Sequence, residues 1–221
     1  MFLPVCFTLL SASLFLAAAA DGQVVSPSPA KAEPAKINAR PVSTPAAEPY
    51  DKADIKTMAA KCVKFETEAG DIEAEMYPES APETVRNFLN LVAIGGLDTT
   101  TFSRVVPGFV IQGGNIWTRT GGVSRDLGAR ARRTIPDEPN KIIHERGVLS
   151  MARAEEANTA TTSFFILVES APSLDGKFAA FGRATKGMDV VDAINKAQIE
   201  GDKPLKPVRI KKVIVAACST L

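Results

Sequence analysis

The stretch "FSRVVPGFVIQGG", residues 102–114, is mostly apolar but contains two side chains that are strong hydrogen-bond donors. They are Arg104, whose guanidinium is permanently charged, and Gln112, whose amide both donates and accepts. Taken alone, an isolated arginine of this kind predicts a salt bridge at the rim of a sheet. The neighbouring phenylalanines, the glutamine and the two closing glycines make a functional site the competing interpretation.

The sequence lacks the residues that most other kinds of catalysis require. His144 is the only histidine, the three cysteines lie far apart, and no carboxylates have metal-ligand spacing. The nucleophile elbow, the phosphate-binding loop and the dinucleotide fingerprint do not occur. We therefore expect no metal and no cofactor, and we expect His144 to be structural.

The charge balance indicates no polyanionic partner. The chain has 26 Lys and Arg against 25 Asp and Glu, a net charge of +1, so nucleic-acid binding is not expected. A solvated loop is expected for the longest irregular stretch, residues 117–145, and contact with an acidic partner is the alternative. This stretch carries five arginines: Arg119, Arg125, Arg130, Arg132 and Arg133.

Short alternating apolar patterns predict the strands that must hold Arg104 and Gln112. A hairpin is predicted after Cys62, followed by six further segments: "TFSRVV", "GFVIQGG", "GVLSMA", "SFFILV", "AAFGRA" and "VRIKKVIVAA". In the last segment the apolar phase shifts near Lys211 and Lys212, which predicts a bulge there. Eight such strands point to a closed antiparallel barrel, because closure leaves no unpaired edge.

Two helices are predicted to cap this barrel. The segment "SAPETVRNFLNLVAIGG" begins with Ser80 and Glu83 in a capping box and keeps its apolar residues on one face. The second helix is predicted from Met188 to Lys196. The fold is therefore expected to be mainly β, with a single domain at residues 58–221.

The first 57 residues are expected to lie outside this domain. Residues 1–20, "MFLPVCFTLLSASLFLAAAA", are uncharged and end in small residues, which predicts a cleaved secretory leader, or a membrane anchor if cleavage fails. Residues 21–57 are rich in Pro and Ala and predict a disordered tether. Export would place Cys62 and Cys218 in an oxidising compartment, where a disulfide and two buried thiols remain alternatives.

Three ordered segments carry a resemblance to a known family. They are "FSRVVPGFVIQGG", "GVLSMARAEEANTATTSFFILV" and "LDGKFAAFGRATKGMDVVDAI". Together they resemble the cyclophilins, peptidyl-prolyl cis/trans isomerases whose signature reads Phe-x-Arg-Val and then Phe-x-x-Gln-Gly-Gly. The resemblance covers roughly residues 61–221, and the spacing is similar to that of the bacterial branch. It implies isomerisation of X-Pro peptide bonds without a cofactor, in a groove on the outer face of an eight-stranded barrel.

The resemblance also implies roles for individual residues. Arg104 would be the catalytic arginine and Gln112 the residue that binds a peptide carbonyl. Phe109 would join them in the catalytic set and would form an apolar cup for the proline ring with Phe165 and Leu174. The remaining substrate-binding positions would be Val110, Ala152, Arg153 and Phe178. Phe164 is expected in the core, because adjacent strand residues point to opposite faces.

Four positions depart from the eukaryotic pattern of the family. Ser103, Ser163 and Phe178 stand where that pattern has His, Gln and His, and Ser173 stands where it has Trp or Phe. Loss of the large apolar side chain at Ser173 predicts weak or no cyclosporin binding. The expected substrates are proline-containing unfolded or exported polypeptides, and the expected protein is a periplasmic or secreted monomer.

The chemistry of the reaction explains why an arginine would be needed. Amide rotation has a barrier of about 18–20 kcal/mol because C–N conjugation must be broken. As the bond twists, the proline nitrogen regains a lone pair that Arg104 can meet with a hydrogen bond. The leading hypothesis is therefore a prolyl isomerase. The alternative is a proline-peptide binding module or holdase chaperone with little or no turnover.

Overall fold

A curled antiparallel sheet of eight strands forms the frame of the protein in the computed structural model, which describes residues 47–220. The order across the sheet is β10-β1-β2-β7-β5-β6-β4-β3, and β8 and β9 form a separate hairpin. The strands are β1 Lys61–Thr67, β2 Asp71–Met76, β3 Arg104–Val106, β4 Val110–Gly113, β5 Val148–Met151, β6 Phe164–Leu167, β7 Ala180–Lys186, β8 Ile199–Glu200, β9 Lys203–Pro204 and β10 Ile210–Ala217.

Four α-helices accompany the sheet, and the two longest are the predicted ones. They are α1 Ile55–Ala59, α2 Pro82–Ala93, α3 Arg125–Arg130 and α4 Met188–Asn195. Single 3₁₀ turns cover Ile116–Thr118, Pro172–Leu174 and Cys218–Thr220. Among the described residues, no helix combines the length and the apolar character that a membrane span needs.

The prediction of a closed barrel is wrong, because the sheet is open. Its two edges are β3 and β10, and no ladder joins them within residues 47–220. An isolated bridge between Thr101 and Arg209, just before each edge strand, is the contact that spans the gap. β3 covers only three residues, Arg104–Val106, and the amide of its central residue, Val105, donates to the Asp202 carbonyl at 2.8 Å, so that amide is not free to pair with β10. The count of eight antiparallel strands is confirmed.

The predicted bulge in the last strand is confirmed. Glu66 of β1 pairs with Lys212 and Thr67 pairs with Ile210, so Lys211 is the extra residue. The apolar side chains of β10 therefore keep facing the core on both sides of the shift, as Ile210 and Val213 do.

The start of α2 differs from the predicted capping box. Ala81 is the N-cap residue and provides no side-chain hydrogen bond. Ser80 is instead held in the preceding turn, where its amide donates to the Tyr77 carbonyl. The first free amides of the helix are satisfied by Glu138, whose carboxylate oxygens accept from Glu83 N at 3.0 Å and Thr84 N at 2.7 Å. A distant carboxylate thus replaces the local serine.

The two faces of the sheet carry two apolar clusters. The larger cluster fills the concave side with α2 and contains five fully buried phenylalanines: Phe65, Phe88, Phe102, Phe164 and Phe181. Phe88 and Phe164 meet edge to face with ring centroids 5.4 Å apart. The smaller cluster lies on the other face and includes Phe165 and Val110. The prediction that Phe164 packs in the core while Phe165 lies on the opposite face is confirmed.

The folded unit begins earlier than the sequence-based boundary at residue 58. Glu48 forms a buried ion pair with Arg130 of α3. Arg86 of α2 donates to the carbonyls of Tyr50 at 2.8 Å and Ala53 at 2.7 Å. Residues 47–57, assigned to the tether, therefore pack on the domain because α2 and α3 supply partners for their polar groups. The predicted leader and the tether as far as residue 46 lie outside the described residues.

The arginine-rich stretch is only partly a solvated loop. Arg130 is buried with Glu48, and Arg119 donates to the carbonyls of Gly95 and Gly96 at the end of α2. Arg132 is exposed and stacks over the exposed Trp117 ring at 5.5 Å. Arg133 Nη1 also lies 3.6 Å from Glu48 Oε1, so three of the five guanidiniums have partners that no local pattern indicated.

A disulfide joins the first strand to the end of the last strand. Cys62 and Cys218 are bonded, with their Cα atoms 4.8 Å apart and a sequence separation of 156. The pairing follows from the register, because Cys62 of β1 lies opposite Ala216 of β10, two residues before Cys218. Of the two alternatives left open by the sequence, the structure contains the bonded one.

Candidate active site

Arg104 and Gln112 are direct partners in the β3–β4 ladder. Residues opposite each other in an antiparallel pair project from the same face, so the two side chains lie side by side. Arg104 Nη1 donates to Gln112 Oε1 at 3.3 Å. Both side chains are partly exposed on the outer face of the sheet. The spacing of eight residues in "FSRVVPGFVIQGG" thus produces a contact through a tight hairpin.

Phe102 does not share the face of Arg104, although strict alternation through "FSRVV" predicts that it should. Phe102 is fully buried in the larger cluster, as is Val105. The reason is that β3 begins only at Arg104, so the alternation is interrupted at Ser103. Phe102 therefore belongs to the core.

Phe109 reaches the same surface as Gln112 because it lies in the turn before β4. Gly108 adopts a φ of +67°, which turns the chain sharply between the two strands. Asn195, the last residue of α4, fastens this turn: its Oδ1 accepts from Gly108 N at 2.9 Å, and its Nδ2 donates to the carbonyls of Val106 at 2.9 Å and Val110 at 3.1 Å. The turn that presents Phe109 is therefore held by a buried amide from a distant helix.

One hollow of about 180 Å³ brings all the predicted site residues together. We call it the Arg104 pocket. Its floor is the smaller apolar cluster, and its polar rim is formed by the Arg104–Gln112 pair. The lining consists of Arg104, Phe109, Val110, Gln112, Ala152, Arg153, Phe165, Leu174 and Phe178.

Arg153, a predicted substrate-binding position, lines the Arg104 pocket beside Phe178 and Phe165. Its guanidinium lies over the Phe178 ring at 5.0 Å, and Phe178 meets Phe165 edge to face at 6.1 Å. Arg153 Nε lies 3.2 Å from Asp137 Oδ2, and Nη1 donates to the Ala154 carbonyl at 2.9 Å. These contacts hold a stack of three side chains along one side of the pocket.

A buried histidine network holds the loop that carries Leu174 and Phe178. Asp175 Oδ1 accepts from His144 N at 2.8 Å and lies 3.1 Å from His144 Nδ1. His144 Nε2 lies 3.1 Å from Ser150 Oγ, and Ser150 donates to the Ala179 carbonyl at 3.0 Å. The hydrogen bond from the backbone N–H of His144 lowers the pKa of Asp175. His144 does not line the pocket, so its contacts are structural ones.

Asp202 lies against Arg104 and was not singled out by the sequence. Its Oδ2 accepts from Arg104 Nε at 2.7 Å, and both side chains are about half exposed. The hydrogen bond from Arg104 lowers the pKa of the Asp202 carboxyl. Asp202 follows Gly201 in the turn between β8 and β9, and a Gly-Asp pair of this kind is a hairpin signal that could have revealed the turn.

A second hollow of about 530 Å³ lies beyond the Pro107–Gly108 turn. Its main charged groups are already paired with each other, because Arg146 binds Asp192 through two hydrogen bonds of 2.8 and 2.9 Å. It lacks aromatic side chains. Within residues 47–220 there is also no group of three His, Cys, Asp or Glu residues that could hold a metal ion. The Arg104 pocket is therefore the candidate active site.

Sequence comparison relates this chain to one family over most of the described residues. Residues 62–215 match the family described as "Cyclophilin type peptidyl-prolyl cis-trans isomerase/CLD". Peptidyl-prolyl cis-trans isomerase A of Dickeya dadantii is 36% identical over 168 residues, covering 72% of this chain and 84% of that protein. Peptidyl-prolyl cis-trans isomerase ppi1 of Schizosaccharomyces pombe is 38% identical over 156 residues, covering 69% and 97%.

Another relative and a solved structure agree with this result. Peptidyl-prolyl cis-trans isomerase CYP23 of Arabidopsis thaliana is 38% identical over 135 residues, covering 61% of this chain and 60% of that protein. The crystal structure of a Cryptosporidium parvum cyclophilin type peptidyl-prolyl cis-trans isomerase has a TM-score of 0.62 and 30% identity, covering 71% of this chain and 98% of that one. The same protein has been crystallised in the presence of the dipeptide Ala-Pro.

Proposed function

The chain belongs to the cyclophilin-type peptidyl-prolyl cis-trans isomerases, and on that premise we propose that it catalyses cis/trans isomerisation of X-Pro peptide bonds in the Arg104 pocket. The observation that carries the proposal is the pair of donors, Arg104 and Gln112, at the rim of an apolar hollow. No other hollow described above combines exposed donors with aromatic walls.

Arg104 is proposed to act on the proline nitrogen. In the planar amide the nitrogen lone pair is conjugated with the carbonyl and accepts no hydrogen bond. Once the bond twists out of plane, the lone pair localises on nitrogen and a guanidinium can donate to it. The interaction is therefore stronger in the transition state than in either ground state, which is the condition for catalysis.

Gln112 and the apolar walls are proposed to bind groups on opposite sides of the rotating C–N bond. Gln112 would bind a peptide carbonyl, while Phe109, Phe165 and Leu174 would fix the proline ring. The volume of about 180 Å³ is below the roughly 300–1,000 Å³ of typical small-molecule sites, which fits a single ring side chain. One side of the bond is then free to turn against an anchored partner.

The transition-state stabilisation that the reaction requires is within what Arg104 and the apolar walls of the pocket can provide. An acceleration of about a million-fold corresponds to about 8 kcal/mol of transition-state stabilisation. One preorganised donor in a partly dry site contributes about 3–4 kcal/mol. The remainder would come from anchoring of the ring and exclusion of water by the phenylalanine walls.

The proposed substrates are proline-containing unfolded polypeptides. The related Cryptosporidium parvum protein was crystallised in the presence of Ala-Pro, a dipeptide with the same ring. The pocket lies on the outer face of the sheet, so it is open to an extended chain. Weak cyclosporin binding is also proposed, because Ser173 is small and exposed and does not line the pocket. A nanomolar dissociation constant for cyclosporin would contradict this.

We further propose that the protein is a bacterial-branch member that acts after export. The apolar, uncharged residues 1–20 support a leader, and the Cys62–Cys218 disulfide is typical of an oxidising compartment. Clients would then be exported proteins in the periplasm or outside the cell. Mass spectrometry of the mature chain after cell fractionation tests this, and an intact N-terminus in the cytoplasmic fraction would contradict it.

The site assignment is tested by a protease-coupled assay on an X-Pro peptide. Arg104→Ala is expected to lower kcat/KM by about 10² to 10³ while leaving the melting temperature nearly unchanged, since it removes a preorganised donor from a rim position. Arg104→Lys keeps the charge but loses the planar fork, and it should recover little of the rate. A wild-type rate at background level would instead favour a binding module or holdase. An Arg104→Ala variant with full activity would remove Arg104 from the mechanism.

A further inference from the structure

Arg104 is held on two sides, and only one of the two partners belongs to the Arg104 pocket. Gln112 accepts from Nη1 inside the pocket. Asp202 accepts from Nε on the other side, at 2.7 Å. Among the described residues, Nη2 donates to no protein acceptor, which leaves it available for a substrate.

The hairpin that carries Asp202 is fastened to the strand that carries Arg104. β8 and β9 pair through Ile199 and Pro204 and through Glu200 and Lys203, with Asp202 in the connecting turn. The Asp202 carbonyl accepts from Val105 N at 2.8 Å. The backbone of the turn is thus hydrogen-bonded to β3 one residue away from Arg104. The position of the Asp202 carboxylate relative to Arg104 Nε is therefore fixed by the backbone.

From this geometry we infer that Asp202 is a positioning residue for the reaction. By accepting the Nε hydrogen bond it fixes the last torsions of a long, flexible side chain and turns the Nη groups toward the pocket. Arginine otherwise loses considerable rotamer freedom when it is ordered, and a side chain that is half exposed has little packing to order it. Holding the guanidinium in advance removes that cost from the catalytic step. The inference rests on the proposed function of Arg104.

A merely structural salt bridge is the competing explanation, and the exposure of the pair argues against it. Ion pairs with half-exposed partners contribute little to folding stability. The Arg183–Glu145 pair provides a matched comparison in the same chain, with side chains 44% and 52% exposed against 41% and 51% for Arg104 and Asp202. Neither Arg183 nor Glu145 lines the Arg104 pocket.

The test compares Asp202→Ala, Asp202→Asn and the control Glu145→Ala in the full chain. Asp202→Ala is expected to lower kcat about tenfold with little change in KM, because misplacement of a catalytic group affects the turnover step first. Asp202→Asn keeps an oxygen that accepts from Nε and should retain most of the activity. Glu145→Ala should behave as wild type. Melting temperatures of all three should stay close to that of the wild type.

A second measurement follows Arg104 directly, without reference to activity. In ¹⁵N spectra the Arg104 Nε–H signal, assigned by its absence in Arg104→Lys, should exchange slowly with water in the wild type and in Asp202→Asn. It should broaden or disappear in Asp202→Ala. Wild-type kcat in Asp202→Ala, or an unchanged Nε–H signal, would overturn the inference. If Arg104→Ala also failed to slow the reaction, the proposed function would be at fault, whereas loss in Arg104→Ala alone would refute only the role of Asp202.

Discussion

Phe164 and Phe165 are consecutive residues of β6 that pack into different apolar clusters on opposite faces of the sheet. Phe164 contacts the rings of Phe65, Phe88 and Phe102 in the core. Phe165 contacts Phe178 and lines the Arg104 pocket. One dipeptide thus contributes separately to folding and to the proposed substrate site.

Substitution of these two residues should separate stability from substrate binding. Phe164→Ala is expected to cost about 3–5 kcal/mol of unfolding free energy, because it opens a cavity among the three rings that Phe164 contacts. Phe165→Ala should cost less and should raise KM about tenfold, since the proline ring loses a wall. Urea unfolding and steady-state kinetics check both variants. Equal losses of stability with an unchanged KM in Phe165→Ala would place Phe165 in the core alone.

Asn195→Ala should affect the pocket through the turn that carries Phe109. The change removes the hydrogen bonds that the Asn195 side chain makes to the Gly108 amide and to the carbonyls of Val106 and Val110, and the expected cost is about 1–3 kcal/mol of stability. KM should rise more than kcat falls, because the turn positions a binding wall. A double-mutant cycle with Phe109→Ala tests whether Asn195 acts through Phe109. If it does, the effects of the two substitutions on KM should not be additive. Additive effects would mean that Asn195 acts elsewhere.

The Asp175–His144 contact should make stability depend on pH on the acid side. The pKa of Asp175 is lowered in the folded state, so the contact stabilises the protein above the ordinary carboxyl pKa of about 3.9 and is lost as the pH falls through the lower folded value. Asp175→Asn should therefore flatten the decline of the urea midpoint between about pH 5 and pH 2. Part of the decline should remain, because Asp54, Asp192 and Asp202 also have lowered pKa values. An unchanged decline would show that Asp175 contributes nothing.

Removal of the disulfide should reduce stability without touching the reaction. The bond closes a segment of 156 residues, for which loop-closure entropy predicts a contribution of about 5 kcal/mol. Cys62→Ser combined with Cys218→Ser should lower the guanidinium midpoint while kcat/KM stays the same, because neither cysteine lines the pocket. Titration of thiols in the denatured wild type provides the control and should find none at these two positions. Two reactive thiols there would contradict the bond.

The parts of the site that the sequence predicted are those set by short-range geometry or by the family resemblance. Arg104 and Gln112 meet through a hairpin of adjacent strands, and the division of Phe164 from Phe165 follows from strand alternation. The bulge at Lys211 was predictable because the phase of the apolar residues records it. In each case the information lies within a few residues of the feature.

The features that were missed depend on partners far along the chain. Asp202 lies 98 residues from Arg104, and Glu138 lies more than 50 residues from the helix end that it caps. Both are acids of a kind that is common on any surface, so residue type alone does not reveal the partner. The Gly201-Asp202 pair indicates a turn but not that the turn meets Arg104. The open sheet was missed for a similar reason, since strand count and length do not reveal whether two edge strands come within bonding distance.

The bond between Cys62 and Cys218 also determines how the domain would respond to mechanical load. All nine residues of the Arg104 pocket lie between these two cysteines in sequence. A pulling force applied at Lys61 and at Ser219 would pass through the sulfur atoms and would not reach the strand ladder between them. Stretching from the two termini therefore could not extend the segment that contains the pocket while the bond is intact, and a reductant would restore its extensibility.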